Sequence, residues 1–310
     1  MSLEILSLDK LPDSLLAIAQ QSPAASPFYS CGLLSVWEQV YGWQGIVLRE
    51  DDCLLIGYRK KTPLGVIFYS LPFGWYGGLI GNTLSRSVSS DILDWLRDQR
   101  FVEERLVQVP NDSAITYPKR YHQRELTTHL LDLTKTATYS DNTARNVKKS
   151  RRHGLTTRRL GLADVAAFEK LRKEHVARTG EPRRLSEGFY TALYLLTQSE
   201  DSGVTIVGAY QHDKLLAGHI YFISETDVFY FDGYATVAGL ELQANFFLFD
   251  IMINRSRDFG RMRFNFGASP SGDSGLERFK SGWGTQSLIY HEYSHRAPIK
   301  RAADLLRGRA

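Results

Sequence analysis

The sequence predicts an α/β protein with mixed sheets, arranged as two tandem modules packed as one unit. Three observations carry this expectation. The order strand, strand, strand, loop, helix, strand reads twice, ~160 residues apart, and a repeated order of elements signals a repeated architecture. The segment 244–258 is apolar nearly all round, with Phe246, Phe247, Leu248, Phe249, Ile251, Met252 and Ile253, which marks a buried helix rather than a half-exposed one. The 310 residues, 43% apolar and 23% charged, suit one large globular domain or two ordinary ones.

Taken in order, residues 1–30 read as a strand and a helix closed by a turn at Ser26-Pro27-Phe28. A helix over 33–41 turns Leu33, Leu34, Val36, Trp37 and Val40 inward. Strands follow at 46–50, 53–59 and 64–71. Then come an aromatic loop, Pro72–Gly78, that includes Tyr76, an amphipathic helix over Ser85–Gln99 and a strand over 102–109. The polar run Thr134–Ser140 marks the join, so the modules are 1–138 and 139–310. The second module opens with a basic helix near 142–153. Helices follow at 163–178 and 186–198, strands at 203–211, 214–223 and 227–235, a loop at 236–243, the apolar helix at 244–258 and a strand at 261–266.

Composition limits the chemistry. The two cysteines, Cys31 and Cys53, are not in a CxxC pattern, so a metal or redox centre is not expected. His291 and His295 have no companions at metal-ligand spacing. The N-terminus lacks a basic stretch before an apolar one, and no apolar run reaches the ~20 residues of a membrane helix. A cytoplasmic protein is expected. The net charge of +4 is too mild to imply DNA binding. Local clustering is stronger: residues 142–163 hold seven Arg or Lys and no acid. On a helix, Arg145, Lys148, Lys149 and Arg152 share one face. Such a face suits a phosphate-bearing partner, although a solvated surface gives the same pattern. The tail from Lys300 to Arg309 adds positive charge and allows contact with an anionic membrane surface.

Site chemistry concentrates in Arg261–Gly284. Met262, Phe264 and Phe266 alternate with Arg261, Arg263 and Asn265 as a strand that stops at Gly267. A Ser, Pro, Gly and Asp loop follows, then a short helix with Leu276 and Phe279 on one face, ended by Gly282-Trp283-Gly284. A glycine loop and a helix start let backbone approach a ligand closely, though a buried strand and its exit turn read the same way. The run Asn265-Phe266-Gly267-Ala268-Ser269, followed by Gly275-Leu276-x-x-Phe279-Lys280-x-x-Trp283-Gly284, resembles the end of the FemAB-like acyltransferases. These are a branch of the GNAT superfamily that includes the Fem-type aminoacyl transferases of peptidoglycan synthesis.

The resemblance implies two GNAT-like modules and transfer of an acyl or aminoacyl group from an activated ester or thioester to an amine. It implies no permanently bound cofactor; aminoacyl-tRNA or acyl-CoA would be a co-substrate. The partners would be tRNA, CoA, or a nucleotide- or lipid-linked substrate. It implies Lys280 as the catalytic residue. Substrate or donor contacts are expected from Tyr76, Tyr234, Asn265, Gly267, Ser269, Phe279 and Trp283, besides the basic face. Two departures separate the chain from ordinary CoA enzymes. The Arg/Gln-x-x-Gly-x-Gly/Ala cradle is missing at Thr236–Gln243 and matches only at Arg158–Ala163, before a helix but on a polar edge-like segment, Leu155–Arg159, instead of a core strand. No tyrosine lies between Gly260 and Gly284. A CoA-dependent N-acetyltransferase and a non-catalytic protein binding RNA or another anionic ligand remain the alternatives.

Overall fold

The computed structural model of the chain describes residues 3–20, 26–72, 75–81, 90–110, 117–180, 185–199, 202–269 and 273–306. The chain divides into two units, Met1–Thr127 with Leu288–Ala310, and Thr128–Ser287. Both are α/β with mixed sheets, as the order of elements predicts.

In the first unit the strands are β1 (Glu4–Ser7), β2 (Gln44–Glu50), β3 (Cys53–Thr62), β4 (Gly65–Tyr69), β5 (Ile80–Gly81) and β6 (Glu103–Val107). Neighbours pair antiparallel except β4 and β6, which run parallel. The helices are α1 (Asp13–Gln20), α2 (Cys31–Tyr41) and α3 (Ser90–Asp98). Ser30 caps α2 by accepting the Leu33 amide at 3.2 Å, and Gly42, at φ 63, ends it. Residues 85–89 of the expected helix Ser85–Gln99, and Phe73 and Gly74 of the aromatic loop, lie outside the described residues.

Several elements had no counterpart in the sequence reading, and three of them bear on how the chain divides. The strand β7 (His122–Asp132) leads into the second unit. The C-terminal strand (Gln286–Arg296) and the helix after it (Pro298–Leu306) belong from Leu288 onward to the first unit, although 139–310 reads as one module. That strand pairs antiparallel with β6 through Glu292–Arg296. Its buried positions mix Tyr290 and Tyr293 with Glu292, and the carboxylate faces Arg105 at 3.7 Å and Arg124 at 3.5 Å. A strand buried partly through ion pairs shows no clean apolar alternation.

The second unit begins at Thr128 in β7. Next come α4 (Asp141–Arg151), β8 (Thr156–Arg159), α5 (Val165–Thr179), α6 (Glu187–Leu196), β9 (Val204–Gln211), β10 (Lys214–Ile223), β11 (Asp227–Ala235), α7 (Val237–Glu241), α8 (Ala244–Asp258), β12 (Arg263–Ala268) and α9 (Ser274–Ser281). The sheet order is β7-β12-β11-β10-β9-β8. Only β11 and β12 are parallel, paired from Asp227↔Arg263 to Phe229↔Asn265. A core of Leu131, Leu133, Val147, Phe247, Phe249, Phe264, Phe266 and Trp283 gathers α4 and α8 on one face of the sheet. On the other, the Phe168 ring of α5 lies where a Cβ on Gly218 would meet it at 2.7 Å. The expected loop 236–243 contains α7, capped by Thr236, whose hydroxyl accepts the Gly239 amide at 2.9 Å.

Candidate active site

The site is built on the end of β12. Opposite β7, the ladder runs Asn265↔Leu130 and then Ala268↔Thr128, so β12 carries one extra residue, a bulge. Gly267 sits in it at φ 73, a conformation that favours glycine. Asn265 holds the bulge: its Oδ1 accepts the Gly267 amide at 2.8 Å and the Thr128 hydroxyl at 2.8 Å. Asn265 is therefore a backbone clamp for the site.

Lys280 arrives from α9. Asp273 caps that helix by accepting the Leu276 amide at 2.9 Å. Phe279 and Trp283 anchor it, with their rings 5.3 and 5.7 Å from Phe246. The lysine is only 4% exposed. Its Nζ donates to the carbonyls of Gly267 at 2.9 Å and Ala268 at 2.7 Å. Burial lowers it to about 8, opposed by the charge of Asp273. At about 8 the group is mostly charged at neutral pH yet reaches the neutral form readily. Ser269, at the strand's exit, is half-buried, and its Oγ is enclosed with no partner among the described residues. Pro270, Ser271 and Gly272 of the loop lie outside them.

Gly267, Ser269, Asn265, Lys280, Phe279 and Trp283 therefore come together, with Trp283 wholly buried. Tyr234 does not join them. In β11 the pairing with β10 skips Phe231, going from Tyr221↔Tyr230 to Ile220↔Asp232. This bulge turns Asp232 and Tyr234 to the face covered by α5 and α6. There the Tyr234 and Tyr190 hydroxyls donate to the same Asp232 oxygen at 2.5 and 2.9 Å. Tyr76 is a core side chain of the first unit, edge-on to Phe28 at 5.6 Å and Tyr290 at 5.0 Å. Strict period-2 counting cannot foresee a bulge that reverses which face a residue takes.

The basic helix forms as expected. In α4, Thr143, Val147 and Ser150 face inward, while Arg145, Lys148, Lys149 and Arg152 are exposed. Beside it lies an open cavity of about 500 Å³ lined by Tyr139, Val147, Lys148, Arg151, Arg152 and Asp250. Arg151 grips the buried Asp250 with two N–H groups, at 3.0 and 2.6 Å. By contrast, Arg158 of the expected Arg158–Ala163 match is held by Asp164 at 2.9 and 2.7 Å. That segment is a capped edge strand rather than a phosphate cradle.

One residue of the site escaped the sequence reading. His129 is 3% exposed. It shares a face of β7 with Leu131 and Leu133, the face on which Trp283 packs. A histidine in phase with two core leucines is the signal that a count of β7 would have given. No group of His, Cys, Asp and Glu among the described residues is arranged to hold a metal.

Residues 139–281 match the family model described as an acetyltransferase (GNAT) domain. Over that stretch, a little under half of its length, the chain is similar to a GNAT acetyltransferase domain. The GNAT match spans α4 through α9, so the Lys280 helix closes it. In fold the whole chain is similar to the crystal structure of FemX (TM-score 0.73, 14% identity, 99% of each chain covered). It is also similar to L-PGS from Bacillus licheniformis (0.63, 14%, 96% of each). A third likeness is to a tandem GNAT protein from the clavulanic acid biosynthesis pathway (0.52, 10%, 94% of this chain and 98% of the other). At these identities the likeness is one of fold, and it covers nearly the whole chain. No curated protein matches the sequence.

Proposed function

We propose that the GNAT domain of this chain transfers an acyl or aminoacyl group from an activated ester or thioester to an amine, with Lys280 as the catalytic residue. The observation that carries this reading is the lysine itself: an ammonium out of water, fixed by two backbone carbonyls beside a glycine bulge. A charge held in this way stabilises the negative carbonyl oxygen of the transition state without having to reorganise. Most of the remaining rate enhancement comes from holding amine and carbonyl together.

The exposed face of Arg145, Lys148, Lys149 and Arg152 supports a phosphate-bearing co-substrate. Aminoacyl-tRNA is the donor we put first, and a nucleotide- or lipid-linked peptidoglycan precursor the acceptor, as the Fem-type resemblance implies. We place the reaction in the cytoplasm, at or near an anionic membrane surface; no helix among the described residues is long and apolar enough to cross a membrane. Acyl-CoA is the second donor, favoured by the acetyltransferase description of the matched domain. The missing cradle before α8 counts against it.

The test incubates the purified protein with labelled aminoacyl-tRNA or acetyl-CoA and a nucleotide-linked sugar peptide bearing a free amine, and reads the product by mass spectrometry. An amide product from aminoacyl-tRNA alone supports the first reading, and one from acetyl-CoA alone the second. No product with either donor, together with binding that weakens steeply with salt, would leave a non-catalytic anion-binding protein.

A further inference from the structure

Two buried histidines in the second unit differ in a way that points to function. His219 is fully buried, and both ring nitrogens have partners: Nδ1 is 2.8 Å from the Tyr221 hydroxyl and Nε2 is 3.1 Å from Asn245 Oδ1. Burial lowers it to about 4. It is a neutral, satisfied part of the core. His129 is as enclosed, yet neither ring nitrogen has a hydrogen-bond partner among the described residues. A buried imidazole with an idle donor and an idle acceptor is costly, and native proteins keep such groups where something else fills the valence.

The surroundings of His129 say what that is. Its strand neighbour Thr128 is the ladder partner of Ala268, whose carbonyl receives Lys280. Alternation turns His129 to the face on which Trp283 of the α9 segment packs. Ser269, one residue beyond Ala268, also has an enclosed Oγ without a partner among the described residues. Lys280 spends two N–H bonds on carbonyls and has one position left. Lys280 and Ser269 thus meet at the end of β12, and His129 lies one residue along β7 from the position paired with Ala268.

We propose that His129 is the proton acceptor of this transfer site, taking the proton from the attacking amine while the Lys280 ammonium holds the carbonyl oxygen. This rests on the acyl-transfer reading above. The electrostatics divide the two roles. Burial, and then the charge of Lys280, hold His129 below its ordinary value against the opposing pull of Glu277, while Lys280 titrates near 8. At neutral pH the pair therefore carries one proton, on the lysine, and the imidazole is a free base. Titratable groups pushed to different values in one site mark the acid and the base. In the reaction the amine nitrogen bonds to the carbonyl carbon, and the bond from that carbon to the leaving oxygen or sulfur breaks. The proton given up by nitrogen passes through His129 to the leaving atom. Donor and acceptor supply every atom.

The test has two arms. In the first, the His129 ring signal, assigned by its loss in His129→Gln, is titrated by NMR in the wild type and in Lys280→Met. The proposal requires a midpoint below that of an ordinary histidine, moving upward when the lysine charge is removed. An ordinary midpoint indifferent to Lys280→Met would overturn it. In the second, kcat/KM is followed against pH with the donor that gives product. His129→Ala should lower it about 100-fold at neutral pH, abolish the acidic limb of the profile, and be partly rescued by added imidazole. A normal profile in His129→Ala would make the ring a passive resident of the core. Failure of the wild type to transfer at all would remove the acyl-transfer reading and the catalytic role of His129 together, leaving the NMR arm to decide only whether the two groups are coupled.

Discussion

A lysine is among the least tolerated residues in a protein interior, and Lys280 is kept there at a measurable cost. The lowering from 10.5 to about 8 corresponds to about 3 kcal/mol of preference for the neutral form. The sign follows from proton counts. Between about 8 and 10.5 the unfolded chain holds a proton that the folded chain has released, so folding stability rises with pH across that window. Below it both states are charged and the folded state bears the full penalty. Lys280→Met should therefore melt at a higher temperature than the wild type at pH 7. Its gain is offset by about 1 kcal/mol for each carbonyl left without a donor, and the gap should close towards pH 10; a gap independent of pH would place the ammonium in water. In the proposed function the same lysine carries the transfer. Lys280→Ala should lower kcat about tenfold or more, which is ~1.4 kcal/mol of transition-state stabilisation. Lys280→Arg should recover little, because a larger, forked cation does not fit an enclosed pair of carbonyls. At Gly284, φ is 78 and an added Cβ would meet the Thr138 carbonyl oxygen at 2.8 Å. Gly284→Ala should destabilise the second unit by about 2 kcal/mol, read from its denaturant midpoint.

At the scale of elements, α4 joins stability to the recognition proposed for it. Its inner side is fixed by Val147 in the core and by the Ser140 cap, whose own amide donates to the Gly282 carbonyl at 2.8 Å. That bond ties the start of the basic helix to the end of the Lys280 helix. The outer face is left to charge. Changing Lys148 and Lys149 together to Ala should raise KM for a phosphate-bearing substrate, at about 1 kcal/mol or more for each lost contact, and should flatten its salt dependence with the fold intact. An unchanged KM at low salt would return this face to solvent. Arg151 acts differently, because its partner Asp250 is only 3% exposed at the side chain. Arg151→Met leaves that carboxylate buried beside Asn254 without its cation, and should cost about 2 kcal/mol of stability whether or not substrate is present.

For the whole molecule, the return of Leu288–Ala310 to the first unit means that the chain's last segment completes its first structure. A chain ending at Ser287 loses the strand paired with β6, the buried rings of Tyr290 and Tyr293, and the carboxylate facing Arg105 and Arg124. Hydrogen exchange should show lost protection concentrated in residues 3–127; protection unchanged there would make the segment an ornament. Much of this molecule was legible in its residues. The apolar girth of 244–258 gave α8 to the residue, and Arg145, Lys148, Lys149 and Arg152 gave the outer face of α4, because each is a local pattern of period; the lysine was singled out by the family resemblance that Phe279-Lys280-x-x-Trp283-Gly284 carries. The rest depended on distance along the chain. That Lys280 is buried requires two carbonyls from a bulge in another element. That Tyr234 leaves the site follows from the extra residue at Phe231, which reverses the face of everything after it. That His129 comes next to the strand position paired with Ala268 follows from β7 pairing with β12 across more than a hundred residues of sequence. Side-chain identity and periodicity are fixed by the sequence alone; which groups share one dry pocket, and so which protons they can hold, is decided only when strands far apart in the chain are brought into register.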